Sequence, residues 1–284
     1  MIELNDISYS YKTPSGTTAA LEHVSARLSE NKATAVIGRT GSGKSTLMEV
    51  IGGLSVPASG TVTINGAPVD KYSGRIGFVF QYPEYQLFAE TVYDDIAYGP
   101  SNLGISGPEL KERVMKAARL THLDEDLLEL APFELSGGQK RLAALAGILA
   151  MEPSVLLLDE PAAGLDPSCR RLVFSIIREL VSKRNGMTAV FVTHSMDDAA
   201  EYADDVLVLS NGKKAAFGTP AEIFGNISLL HGCGLDIPEP AKLQRELSAL
   251  GLDAGEMLTV TDAFDSVHRI FEQHGIEPQP KGNI

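Results

Sequence analysis

The sequence predicts an α/β fold: a largely parallel, buried sheet flanked by helices, with a smaller antiparallel β-subdomain beside it and a helical region inserted between strands. Three observations carry this prediction. Residues 33–37 form an apolar run that leads into Gly38-Arg39-Thr40-Gly41-Ser42-Gly43-Lys44-Ser45 and then a helix-forming run to Ile51. Residues 155–158 are continuously apolar and end in Asp159-Glu160, as suits a strand covered on both faces. Strand and helix patterns then alternate through residue 209, the signature of parallel βα units.

The elements follow in order. Ile2, Leu4, Ile7, Tyr9 and Tyr11 stand between polar residues and mark a first strand, closed by a turn at Thr13-Pro14-Ser15-Gly16. Residues 20–28 alternate and read as a second strand. Gly52-Gly53 ends the helix after Lys44. Thr61-Val62-Thr63-Ile64 followed by Asn65-Gly66 is a hairpin signal, because this dipeptide accepts the left-handed backbone of a tight turn. Residues 75–80 form a buried strand that exits at Gln81-Tyr82-Pro83-Glu84. From residue 83 to about 153 the pattern is helical. Residues 91–98 fit a short helix, Ser106-Gly107-Pro108-Glu109 opens one that reaches Leu120, and 123–130 is a further helical run. Leu135-Ser136-Gly137-Gly138-Gln139 precedes a helix over 140–150. In the second half, 172–181 and 196–203 read as helices, 187–192 and 206–209 as strands, and Asn211-Gly212 turns into 213–217.

Beyond Thr219, glycine, proline and short helices dominate. Helices are expected at 220–224 and 227–231, then one opened by Pro238-Glu239-Pro240 with Leu243, Leu247 and Leu250 on one face. A last helix, capped by Thr261-Asp262, carries Phe264, Val267, Ile270 and Phe271. Two small amphipathic helices cannot build a core of their own, so they are expected to pack on the main domain or on a partner. Residues 277–284 read as a disordered tail.

Composition narrows the function classes. At 284 residues the chain has room for one large domain with an appendage. No apolar run reaches the length of a membrane span, and the first residues show no signal peptide. Cys169 and Cys233 are isolated, without metal-ligand spacing, and read as reduced thiols of a cytoplasmic protein. A net charge of −13 argues against a broad nucleic-acid footprint and against docking on anionic lipid by charge. Work at a membrane therefore requires another protein to hold the chain there.

The chemistry concentrates in a few residues. Glycines at 38, 41 and 43 let consecutive N–H groups curl around phosphate oxygens, and the following helix adds the positive end of its dipole. Lys44 can reach the β- and γ-phosphates, and the Ser45 hydroxyl can ligate Mg²⁺. Gln81, at a strand exit, suits contact with a metal or water near the phosphates, or is a solvated loop residue. Asp159 and Glu160 lie at the carboxyl end of a parallel strand, where ligands bind in open α/β sheets, and two adjacent acids can divide metal and water between them. Ser136-Gly137-Gly138 at a helix start is a second anion-binding arrangement. By residue type alone, Tyr11 reads as a core or hairpin tyrosine and His194 as a core or capping histidine.

Taken together, the phosphate loop, Gln81 after a strand, Leu135–Gln139, Asp159-Glu160, Ala163-Gly164-Leu165-Asp166 and His194 resemble the nucleotide-binding subunits of ABC transporters from residue 1 to about 225. Val79-Phe80-Gln81-Tyr82-Pro83-Glu84-Tyr85-Gln86-Leu87-Phe88-Ala89-Glu90-Thr91-Val92 is similar to the corresponding segment of energy-coupling factor transporter ATPases, the vitamin and cobalt/nickel importers. Residues 98–104 (Tyr98-Gly99-Pro100-Ser101-Asn102-Leu103-Gly104), 133–139 (Phe133-Glu134 and the Leu135–Gln139 motif) and 234–240 (Gly234-Leu235-Asp236-Ile237-Pro238-Glu239-Pro240) add to that likeness. Of the two ATPase types in these transporters, the chain is more similar to the second, A2-type.

The resemblance implies a P-loop ABC ATPase core: a RecA-like α/β subdomain and an antiparallel β-subdomain, with a helical subdomain over about 83–153. Residues 1–225 would be the nucleotide-binding domain and 226–284 a C-terminal extension related to dimerisation. It implies ATP and Mg²⁺ as cofactors. Tyr11 then stacks on adenine, and Gly38, Arg39, Thr40, Gly41, Ser42, Gly43, Lys44, Ser45 and Thr46 hold the phosphates. Ser45, Gln81 and Asp159 serve the metal, Glu160 is the general base, and His194 contacts the γ-phosphate. Leu135, Ser136, Gly137, Gly138 and Gln139 act on the ATP of a second ATPase subunit, and Asp166 communicates across that dimer. The implied partners are that second subunit, identical or paralogous and docked head-to-tail, a transmembrane coupling subunit, and a substrate-binding membrane subunit. The implied location is peripheral, at the cytoplasmic face of the cell membrane. Glu84 and Glu90 are expected either to pair with basic residues of the membrane partner or to stay solvated. Two alternatives remain: another class of ABC transporter, or a soluble ABC ATPase that remodels DNA or ribosomes. The latter types carry long coiled coils, paired cassettes or basic faces, none of which this sequence has.

Overall fold

A computed structural model describes residues 1–274 except 15, 70, 72, 73 and 183–185. The expected tail at 277–284 and part of the turn at 13–16 lie outside the described residues. Among those described, the strands form two sheets. β1 (Ile2–Thr13), β2 (Gly16–Leu28), β4 (Ser59–Ile64) and β5 (Ala67–Pro68) make an antiparallel sheet in the order β2-β1-β4-β5. β3 (Ala33–Ile37), β6 (Ile76–Val79), β7 (Val155–Asp159), β8 (Thr188–Val192), β9 (Asp205–Ser210) and β10 (Lys213–Gly218) make the other, in the order β10-β9-β3-β8-β7-β6. This second sheet is parallel except for β10, which returns antiparallel to β9. Both Asn-Gly dipeptides turn as expected: Asn65 and Gly66 have φ of 51° and 78°, Asn211 and Gly212 50° and 75°. Positive φ at both central residues matches the twist of a hairpin.

The period of two divides the parallel sheet between two apolar clusters. Val190, Val192, Leu207 and Leu209 face Leu47 and Ile51 of α1 (Lys44–Ile51) and the antiparallel sheet. Ala189, Phe191, Val206 and Val208 face the other way, with Phe174 and Ile177 of α5 (Pro167–Val181) and Ala199 of α6 (Met196–Tyr202). With both faces covered, β3 and β8 are buried at every residue.

Between β6 and β7 lie α2 (Val92–Asn102), α3 (Gly107–Leu120) and α4 (Gly137–Leu149). In this region the structure departs from the sequence reading at α2, at 123–130 and at α4. α2 runs past Tyr98 and includes a buried Pro100, because a proline in the last turn forfeits one intrahelical hydrogen bond while its fixed φ still suits a helix. Residues 123–130 are not a helix; only Glu125–Leu127 makes a 3₁₀ turn. The carbonyls of Leu128 and Leu130 instead accept from the N–H groups of Tyr93 and Val92 in the first turn of α2, satisfying donors that have no intrahelical partner. α4 starts at Gly137 rather than Lys140, because Ser136 and Gln139 cap each other's backbone N–H.

The C-terminal segment comprises α7 (Pro220–Gly225), α8 (Ile227–Gly232), α9 (Glu239–Ala249) and α10 (Val260–Gln273). Phe224, Leu230, Ile237 and Ala241 join the main core, whereas Leu247, Met257, Val267 and Ile270 form a small cluster of their own. The N–H of Glu239 donates to Asp197 of α6 at 2.8 Å, fixing the start of α9. The cap of α10 is Thr259, not Thr261, and Thr259 and Asp262 form the capping box.

Glu84 does not wait for a partner. Its carboxylate pairs with Arg141 of α4, at 2.8 Å from Nε and 3.1 Å from a terminal nitrogen. Arg141 is 3% exposed and also donates to the carbonyls of Pro161 and Ala163 at 2.9 and 3.1 Å. One guanidinium thus ties the helical region to the segment that follows β7. Breaking a buried pair from one side strands the other charge. Arg141→Met is expected to cost about 3 kcal/mol and lower the thermal unfolding midpoint by about 6–12 °C. An unchanged midpoint would contradict this anchoring role.

Candidate active site

The site lies at the carboxyl ends of four adjacent parallel strands, β3, β8, β7 and β6. β3 delivers the loop 38–45. A Cβ at Gly38 would run into the carbonyl of Leu209, and one at Gly43 would lie 2.5 Å from the carbonyl of Ala20. Gly43 has φ of 99° and caps α1 without a side chain, so its backbone needs glycine for both space and conformation. Arg39, Thr40, Gly41 and Ser45 are exposed, whereas Ser42, Lys44 and Thr46 are buried. Lys44 Nζ donates to the carbonyls of Gly38 and Arg39 at 2.8 and 3.1 Å. Burial draws its pKa below the ordinary lysine value, opposed by Glu160 and Asp159. Tyr11 shares a hydrogen bond with Thr46 at 2.9 Å and meets Tyr9 edge-on. Its half-exposed ring therefore sits beside the start of α1.

β7 ends in the two carboxylates. Asp159 lies beside Ser45, and its Oδ1 is buried without a hydrogen-bond partner. Burial raises its pKa, and Glu160 and Glu49 push the same way against Ser45 and Lys44. Glu160 has φ of 50°, a left-handed backbone that is uncommon outside glycine. That conformation turns its carboxylate between the neighbouring strands. Gln81, beyond β6, donates Nε2 to Glu160 Oε2 at 3.2 Å. His194, beyond β8, brings Nε2 to 2.9 Å from Glu160 Oε1. Residues 79 and 34 positions apart in the chain thus meet on one side chain because their strands are neighbours in the sheet.

The orphaned Asp159 oxygen beside the Ser45 hydroxyl offers oxygen donors of the kind a divalent cation takes. Among the described residues no cluster of three or more His, Cys, Asp or Glu could hold a metal. The arrangement therefore fits a cation that relies on phosphate and water for its remaining ligands, as Mg²⁺ does.

The second glycine motif stands apart. Among the described residues no hydrogen bond joins 135–139 to the loop 38–45. Ser136 and Gly137 are exposed at the start of α4. Leu135 is 5% exposed and belongs to the core. Its side chain anchors the loop in the core. Gln139 spends its side-chain oxygen on the Ser136 N–H. A Cβ on Gly138 would overlap Cys169 Sγ. Asp166 is exposed and caps α5, accepting from the N–H of Ser168 at 2.8 Å and of Cys169 at 3.1 Å. These bonds, Cys169 foremost, hold its pKa below the ordinary value. Sequence reasoning missed Arg141 and Arg170, whose partners lie elsewhere in the chain.

Comparison with known proteins gives consistent relatives. The ABC transporter family model matches residues 21–163. The energy-coupling factor transporter ATP-binding protein EcfA2 of Caldanaerobacter subterraneus subsp. tengcongensis is 42% identical, covering 94% of this chain and 96% of its own. Its Bacillus subtilis counterpart is 43% identical, covering 89% and 95%. Among solved structures, cbiO1 from Clostridium perfringens, part of the ABC transporter complex cbiONQ, superposes with a TM-score of 0.73 at 33% identity, covering 88% of this chain and 96% of that one. A dimeric ATP-binding cassette in a post-hydrolysis state, bound to ADP and Pi, gives 0.69 at 27% identity, covering 78% and 99%.

A raised carboxylate pKa has a definite sign. The fold disfavours ionised Asp159, so its cost is absent below the unfolded value of 3.8 and grows as pH rises through the folded value. Asp159→Asn is therefore expected to raise the melting temperature of the nucleotide-free chain at neutral pH. The gain should vanish in acid, as measured by thermal unfolding across pH. A lower melting temperature at neutral pH would contradict the burial argument.

Proposed function

The chain belongs to the ABC transporter ATP-binding proteins, in their energy-coupling factor branch, and from that premise we propose that it binds and hydrolyses ATP as one half of a head-to-tail pair of cassettes. Closure of the pair drives uptake of a vitamin or transition-metal ion through membrane subunits. The observation that carries this reading is the convergence of Gln81 and His194 on Glu160, one strand away from the phosphate loop.

In this reading, the amides of Gly38 to Ser45, with Thr46, cradle the phosphates, and Tyr11 stacks on adenine. Lys44 exchanges the carbonyls of Gly38 and Arg39 for phosphate oxygens. This costs little, because those carbonyls only hold a charge that would otherwise be buried unpaired. Ser45, Asp159 and Gln81 hold Mg²⁺, which when bound neutralises charge on the phosphates. Glu160 takes the proton of the attacking water, and His194 orients that carboxylate and reaches the γ-phosphate. Ser136 and the amides of Gly137 and Gly138 face outward and complete the partner's site, while Asp166 stands at the seam.

Residues 1–225 form the nucleotide-binding domain in this account, with its helical part over about 83–153, and 226–284 form an extension that supports pairing. No helix among the described residues is long and apolar enough to cross a membrane. As a cassette of the energy-coupling factor branch, the chain attaches peripherally, at the cytoplasmic face, through its partners. A largely apolar cleft of about 530 Å³ next to the Gln81 segment, lined by Phe88, Tyr98, Leu103 and Met151, supports docking of a membrane subunit there. Glu90 is exposed in the same segment and remains available for pairing, whereas Glu84 is engaged by Arg141.

Replacing the base while keeping its shape tests the assignment. Glu160→Gln is expected to retain ATP, trap the closed pair and reduce turnover about 100-fold or more. Turnover assays and size-exclusion chromatography with ATP would read both effects. Normal turnover in this variant would refute the role of Glu160.

A further inference from the structure

Arg170 occupies the first turn of α5, and its backbone N–H bonds the carbonyl of Asp166 at 2.9 Å. Its side chain leaves that segment for another. Nε donates to Asp198 Oδ1 at 2.8 Å, and a terminal nitrogen donates to Ser195 Oγ at 2.7 Å. Asp198 is 6% exposed and also accepts from Thr193 Oγ1 at 3.4 Å. The Ser195 N–H donates to Thr193 Oγ1 at 3.0 Å, and the Asp198 N–H donates to Ser195 Oγ at 3.1 Å. Both residues flanking His194 are therefore held in one network, and that network ends on the Arg170 guanidinium. His194 itself is left to reach Glu160. Arg170, Asp198, His194 and Glu160 line a single cavity of about 250 Å³.

We propose that Arg170 is a positioning residue for ATP hydrolysis, locking the segment that presents His194 to the segment that carries Asp166. The proposal rests on the assignment of Glu160 and His194 given above. A guanidinium is suited to the task because its planar fork serves two acceptors in fixed directions, while an ammonium supplies a point charge on a flexible stem. The geometry has a mechanical consequence. Asp166 lies at the proposed seam and Arg170 one turn further along the same helix. A shift of the Asp166 segment when a second cassette docks thus carries Ser195 and Asp198 with it, and sets the imidazole relative to Glu160.

The test uses the full chain assembled with its partner subunits, comparing Arg170→Met and Arg170→Lys by steady-state ATP turnover and equilibrium ATP binding. Arg170→Met is expected to lower kcat about tenfold or more while KM and ATP binding stay within about twofold, the pattern of lost transition-state geometry. Arg170→Lys should recover part of the rate. Added to His194→Ala, Arg170→Met should cause no further loss, since the two changes disable one unit. Should the methionine variant fail to assemble, Asp198→Asn keeps the side-chain shape and is expected to show the same kcat loss. Unchanged kcat in these variants, ATP binding lost in step with rate, or full additivity with His194→Ala would overturn the proposal. Normal turnover in His194→Ala itself would instead refute the site assignment beneath it.

Discussion

Glu160 follows a strand sealed on both faces, so its side chain can reach water only where the strand ends. Its left-handed backbone aims the carboxylate sideways along the sheet edge, between the amide of Gln81 and the imidazole of His194. Both partners sit just beyond the neighbouring strands, and the register of β6, β7 and β8 sets their heights. A parallel sheet can do this because all its strand ends point the same way. Shifting any one of these strands by a residue would turn its side chains to the other face and dismantle the group. The phosphate loop joins from β3, next to β8, so sheet order alone assembles the candidate site.

The rest of the fold holds that edge still. The antiparallel sheet and α1 cover one face of the parallel sheet, while α4, α5 and α6 cover the other. Arg141 reaches from α4 to the carbonyls just after Glu160, and Arg170 reaches from α5 to the residues around His194. Buried Arg141 and half-exposed Arg170 join segments that the hydrophobic effect could pack but not orient, because apolar contact has no preferred direction. The second glycine motif is held differently. Leu135 anchors it in the core, Ser136 caps its helix, and Gly137 is exposed at the helix start.

Most of this was legible where the signal is local. A glycine loop between a strand and a helix, an apolar run ending in two acids, and two Asn-Gly turns each state their structure within a few residues. The element order followed from them. What escaped depended on distant partners. Residues 123–130 have a helical pattern, yet their carbonyls serve α2. Glu84 reads as a surface acid until Arg141, on another helix, is placed beside it. Leu135 belongs to the glycine motif in sequence and to the core in space. Arg170 follows a proline in a helix start and reveals its role only when α6 packs against α5. His194 is the instructive case: its residue type favours a bland role, and only its strand's position next to β7 brings it to Glu160.

The proposed head-to-tail pairing makes each phosphate loop half of a site, completed by Ser136 to Gly138 of another cassette. Introducing Ser136→Phe into the assembled pair tests it most directly, with hydrolysis measured separately at each site by disabling one phosphate loop at a time, Lys44→Ala in this chain or its equivalent in the partner. The account predicts that hydrolysis is lost at the partner's phosphate loop and retained at this chain's own. Loss confined to this chain's own loop would contradict it.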